Sequence, residues 1–206
     1  MRLTTVVAVC AITLANTGLF AQKVSKAAGS SDFQLQLKNV KQIGDKTLEF
    51  DIFIVKTRKD ITLEIATFQA GIEYNKELLN GAVVKADMVS IIPGTSEMSD
   101  SLKPKMVNSS MPGLIRLAGR PAPKKSRGTT IPEGDSGIRI CTIRLTNPVS
   151  FIPDIPPDLK FTSSVLAENS YATRLGIYDG LKIIQLDILP GKNAVSIESI
   201  QLNPAK

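Results

Sequence analysis

The carboxylates best spaced for joint chemistry are Glu49 and Asp51, two residues apart, with Glu64 further along. Glycoside hydrolysis needs two such acids facing each other across a cleft. On an extended strand, residues i and i+2 share a face. Here that face is the polar one, so solvated surface is expected rather than catalysis. Glu133-Gly134-Asp135-Ser136-Gly137 offers oxygen ligands to calcium, but its spacing matches no calcium loop, and a polar turn is expected. The chain has no histidine, which excludes Ser-His-Asp and Cys-His nucleophilic sites, histidine-ligated zinc and the usual base near neutral pH. Its two cysteines, Cys10 and Cys141, are too few for a cysteine-cluster metal site. Cys141 falls on the apolar side of a strand pattern, where a buried structural thiol is expected. No Gly-rich phosphate loop occurs. These residues point away from an enzyme and away from a bound cofactor or metal.

Binding chemistry is better represented. Lys103, Lys105, Arg116, Arg120, Lys124, Lys125 and Arg127 occur in residues 101–128 without an acidic residue among them. Such a run suits an acidic glycan, an anionic surface or an acidic partner, or serves as a solubilising loop. Tyr171 and Tyr178 flank a strand pattern and are candidates for stacking on a sugar ring, while tryptophan is absent. The polar positions Thr67, Gln69 and Glu73 share the outward side of the most regular apolar stretch. Asn108-Ser109-Ser110 fits the glycosylation sequon. Without interleaved aromatics, nucleic acid is not an expected partner.

The elements that must position these residues read as strands. In residues 61–84, Ile61, Leu63 and Ile65 are apolar at odd positions, and Phe68, Ala70, Ile72 and Tyr74 at even ones. Side chains alternate between faces with period two, so the phase slip near Ala66-Thr67 predicts a β-bulge or a kink between two strands. The segment 75–80 predicts one helical turn at most, followed by a short returning strand at Val83-Val84. Residues 33–37, 47–56, 114–118, 138–146, 159–165, 173–178 and 181–188 also carry strand patterns. Asp179-Gly180 between the last two is a hairpin signal. Proline-rich residues 87–112, 119–137 and 147–158 read as loops, with one short strand allowed in the first. Eight or nine short strands with no helical segment predict an all-β, antiparallel jelly-roll or immunoglobulin-like sandwich.

Residues 1–21 have the layout of a secretory signal peptide, with one early arginine, an apolar run and Phe20-Ala21 before Gln22. Loss of Arg2 with this leader takes the net charge from +6 to about +5. The expected organisation is a signal peptide at 1–21, a flexible lead-in at 22–32, a β-sandwich at 33–189, and an edge strand or linker tail at 190–206. About 185 mature residues suffice for one core burying roughly 70% of the unfolded surface. One remaining cysteine leaves no internal disulfide. No membrane span is expected after the leader, so the protein is expected outside the cell or on its surface.

Phe68, Ile72, Tyr74, Leu78, Val83 and Val84 resemble the cohesin pattern of a core strand ending in tyrosine, then leucine, then a short valine strand. Residues 137–145, GIRICTIRL, resemble the cohesin strand that follows a glycine and alternates into the core. The leader and the Phe50-Asp51 strand resemble secreted modules of Bacteroidetes. Cohesins and related bacterial carbohydrate-binding modules share a nine-stranded jelly-roll sandwich. The resemblance therefore implies a secreted, non-catalytic binding module, whole or shortened. Its expected target is a polysaccharide or glycan; the alternative is protein–protein assembly in an extracellular or cell-surface complex.

Overall fold

The computed structural model describes residues 31–195, except 110, 126, 135 and 164–171. The proposed leader, most of the lead-in, Tyr171 and the tail beyond Val195 lie outside the described residues. Two sheets face each other. The first runs in the order β12 (Ala194–Val195), β1 (Phe33–Ile43), β2 (Thr47–Lys56), β8 (Ile138–Thr146) and β4 (Val89–Ile91). The second runs β11 (Lys182–Leu186), β10 (Arg174–Asp179), β3 (Glu64–Glu73), β6 (Leu114–Ala118) and β5 (Met106–Asn108). The short strands β7 (Thr129–Thr130) and β9 (Lys160–Phe161) also pair with β3. The described residues thus hold twelve strands, more than the eight or nine expected, because β4, β5 and β7, of two or three residues each, lie within the proline-rich stretches read as loops. All pairs are antiparallel except β1 with β12.

The inner faces form one core. Leu35, Leu37, Leu48, Phe50, Ile52, Ile54, Ile143 and Leu145 come from the first sheet, and Ile65, Phe68, Ala70, Ile72, Ile115, Leu117, Leu175 and Ile177 from the second, all buried. Each set follows the period-two alternation that a sheet with one buried face requires. The phase slip of the sequence is a β-bulge. Gly176 of β10 pairs with Thr67 and Ile177 with Ile65, leaving Ala66 as the extra residue. Ile65 and Ala66 are consequently both buried, and the inward phase is restored at Phe68.

Two local expectations need correction. Ile61 and Leu63 are buried, but regular pairing starts only at Glu64. No strand forms at Val83-Val84; Val83 is 77% exposed. The helical turn expected at 75–80 does form, as a 3-10 turn at Lys76–Leu79 capped by the Asn75 side chain, with Asn80 left-handed at its end. That turn buries Leu78 and Leu79, and Val84 packs against the core without joining a strand. The hairpin at Asp179-Gly180 forms with Gly180 at φ +60°, the positive φ that primed two-residue turns demand.

Candidate functional site

The two outer faces differ in kind. On the first sheet, Glu49 and Asp51 do point outward, but they are 3% and 5% exposed rather than solvated. Arg144 Nε donates to Glu49 Oε1 at 2.8 Å and Lys41 Nζ lies 3.1 Å from Oε2. Asn39 Nδ2 donates to Asp51 Oδ2 at 2.7 Å, the Thr142 hydroxyl donates to Oδ1, and Arg139 lies 3.8 Å away. The cause is tertiary. A bulge between Lys38 and Lys41 puts Asn39 in the left-handed region and swings it over Asp51. Segment 92–97 follows the edge of β8, where Thr95 accepts from Thr142 N–H and Arg139 Nε, and the Glu97 carboxylate accepts from Arg139 N–H. Burial would raise the Glu49 carboxyl, but Arg144 and Lys41 outweigh it and hold it below the ordinary range. Glu64 belongs to the other sheet and accepts from Gly128 N–H at 3.1 Å. These three acids are structural partners of cations and amides, and do not share a cleft.

The outer face of the second sheet is recessed. Register places Arg174 beside Gln69 and Gly176 beside Thr67 across β10 and β3, and Ala118 beside Gln69 across β3 and β6. Gly176 has no side chain, and its neighbours have closed over it. A Cβ there would lie 2.4 Å from Thr67 Oγ1 and 3.0 Å from Gln185 Nε2. Beside Gly176 lies a depression of about 550 Å³, lined by Thr67, Gln69, Ala118, Gly119, Pro121, Arg174, Gln185 and Asp187 among others. Gln69 is fixed at both ends of its amide: Nε2 donates to the Ala172 carbonyl at 2.8 Å, and Oε1 accepts from Arg116 Nη2 at 3.3 Å. Arg116 is therefore held across β3 and β6, with a buried Nε–H that has no partner among the described residues.

The basic run is divided by the fold. Arg116 joins the groove through Gln69, and exposed Arg120 sits between the groove residues Gly119 and Pro121. Residues 119–128 leave the edge of β3 and rejoin it, tethered by Ala122 N–H to the Ala66 carbonyl at 2.7 Å. At the far side of that loop, Lys124 and Arg127 line a second depression with Ser99, Asp100 and Ser101, about 520 Å³ in volume. Lys103 pairs with Asp100 at 2.7 Å and holds that carboxyl below its ordinary range, while Lys105 and Lys125 are exposed. Tyr178 is half-buried and its hydroxyl donates to the Ala122 carbonyl at 3.2 Å, so its phenol is engaged in holding the loop. Of the outward positions on β3, Thr67 and Gln69 line the groove, whereas Glu73 is exposed at the strand end and does not. Arg174, Gln185 and Asp187 were not singled out from sequence. Their outward parity on the hairpin was readable, but their approach to Gln69 depends on the β10–β3 pairing.

Three solved cohesin modules are similar to this chain. The seventh ScaB type I cohesin of Pseudobacteroides cellulosolvens is 10% identical, with a TM-score of 0.45 over 80% of this chain and 88% of that one. The second type II cohesin of the Acetivibrio cellulolyticus ScaA scaffoldin is 12% identical, with a TM-score of 0.47 over 88% and 93%. The cohesin module of a Clostridium perfringens family 33 glycoside hydrolase is 19% identical, with a TM-score of 0.42 over 77% and 96%. No protein-family model and no curated protein sequence matches the chain. Among the described residues no helix is long and apolar enough to cross a membrane.

Proposed function

We propose that the protein is a non-catalytic, extracellular protein-binding module that docks its partner on the outer face of the β10–β3–β6 layer. One observation carries this reading. The middle of the opposite outer face is occupied by its own ion network around Glu49 and Asp51, which leaves a depression of about 290 Å³ beside Gln34 and Gln36, whereas this face holds a wider recess of about 550 Å³ beside a pre-positioned arginine. Pre-organised polar groups around a concave floor lower the ordering cost of association, and Arg116 offers a donor fork suited to a carboxylate. The cohesin side of the sequence resemblance favours a protein as the partner, whereas its carbohydrate-binding-module side had favoured a sugar. The glycan reading drew on Tyr171, Tyr178 and the basic run; Tyr171 lies outside the described residues, the Tyr178 hydroxyl is engaged with Ala122, and the basic residues are divided between two depressions.

The test is capture from extracellular and envelope extracts, with captured proteins identified and then assayed individually as purified ligands. Ala118→Arg fills the recess from an outward position, and Ser90→Arg adds the same charge on the exposed side of β4. Loss of binding with the first and retention with the second is expected. Binding that survives Ala118→Arg, or that goes to a polysaccharide on a glycan array, overturns the proposal.

A further inference from the structure

Of the strands that end the two sheets, β4, β5 and β12 have two or three residues, while β11 has five. In the two-residue hairpin, Asp179 and Lys182 close the turn, so hydrogen-bonded pairs fall at Lys182, Ile184 and Leu186. The backbone N–H and C=O groups of Ile183 and Gln185 consequently point away from β10, and among the described residues no hydrogen bond reaches them. The side chains beside this open edge are apolar and exposed, Leu181 at 90% and Ile183 at 43%. The strand KIIQL carries one charge, no proline and two β-branched residues. A flat edge of that composition is a template for another strand.

We propose that β11 pairs antiparallel with β11 of a second copy of this chain, about a two-fold axis at Ile184. The register is self-complementary. Ile183 exchanges both main-chain bonds with Gln185 of the second copy, and Gln185 with Ile183, giving four bonds. Ile184 meets its own counterpart in the closely spaced, non-hydrogen-bonded position, where its half-buried side chain, already packed on the core, gains an apolar neighbour. Charges agree with this register. Lys182 lies opposite Leu186 and next to Asp187 of the other strand, and no like charges oppose each other; shifting the axis to Lys182 would set two lysines face to face. The result is one continuous sheet with two recessed outer faces side by side, so the dimer presents the proposed docking surface twice. A five-residue edge buries less than the roughly 1,000 Å² of a lasting interface, so the dimer is weak and concentration-dependent, and avidity for a repetitive partner is its expected use.

Sedimentation equilibrium of the full chain over a hundredfold concentration range should show the average mass rising from one protomer towards two. Gln185→Pro removes an outward N–H that the fold does not use, so it should abolish the rise while leaving the thermal midpoint essentially unchanged. Ile184→Cys places two thiols with Cα atoms about 4.5 Å apart, within disulfide reach, and should cross-link under mild oxidation. Leu181→Cys, although more exposed, should not exceed the background of the parent chain with Cys10 and buried Cys141. A monomer at every concentration overturns the proposal, as does a dimer that tolerates Gln185→Pro or cross-links through position 181 instead of 184. Either failure leaves the single-copy docking reading intact, because that rests on the groove and not on the edge.

Discussion

Arg144→Ala should destabilise the protein more than Glu49→Gln, although both remove one partner of the same ion pair. The asymmetry follows from exposure. The Glu49 carboxylate is 4% exposed, whereas Arg144 and Lys41 are 46% and 60% exposed. Without Arg144, Oε1 loses two donors in a place that cannot fully rehydrate it. Breaking a fully buried pair costs about 3–5 kcal/mol. Lys41 stays on Oε2 and water can enter where Arg144 lay, so about 2 kcal/mol is expected, or roughly 4–8 °C in thermal midpoint for a domain of this size. Glu49→Gln leaves two solvated cations and keeps an acceptor, so about 1 kcal/mol or less is expected. Urea unfolding of both variants and the double variant gives the coupling, expected at roughly 1 kcal/mol. pH supplies an independent arm. The folded-state carboxyl is depressed, so its contribution is present above the unfolded carboxylate pKa and is lost as pH falls through the lower folded value. Glu49→Gln should therefore flatten the acid limb of the stability curve. Equal losses from the two single variants, or an acid limb untouched by Glu49→Gln, would refute an ion-held Glu49.

Gly128→Ala would put a Cβ 2.2 Å from the Ile65 carbonyl oxygen; a loss of about 2 kcal/mol or more is expected, with faster proteolysis within residues 119–128. Tyr178→Phe removes the bond to Ala122, and should cost about 1 kcal/mol while increasing hydrogen exchange at the Ala122 amide. Burial among apolar groups pushes the Cys141 thiol far up, so thiol reagents should modify it only at the rate of unfolding, and labelling in the native state would contradict its placement.

The acids show how far the sequence could be read. Polar parity on β2 was legible for Glu49 and Asp51, and they do point outward. Their burial was not legible, because the covering groups arrive from β1, β8 and segment 92–97. The bulge at Ala66 was readable because a phase slip is a local property of one strand. The missing strand at Val83 was misread for the complementary reason: two valines have strand propensity, but among the described residues no strand pairs with them.

By itself, then, the amino-acid sequence determined the strand alternation, the Gly180 turn, the inward set of the core and the exclusion of histidine chemistry, since each depends on residue type and short-range periodicity. It also supplied Thr67, Gln69 and Arg116 as outward residues. Only the tertiary structure decided that Gln69 locks Arg116, that Arg174 and Gln185 complete the recess, that Lys124 and Arg127 belong to a different depression, and that β11 ends its sheet among the described residues. Those facts depend on which strands are neighbours, and pairing between segments a hundred residues apart is set by the packing of the whole core rather than by any local pattern.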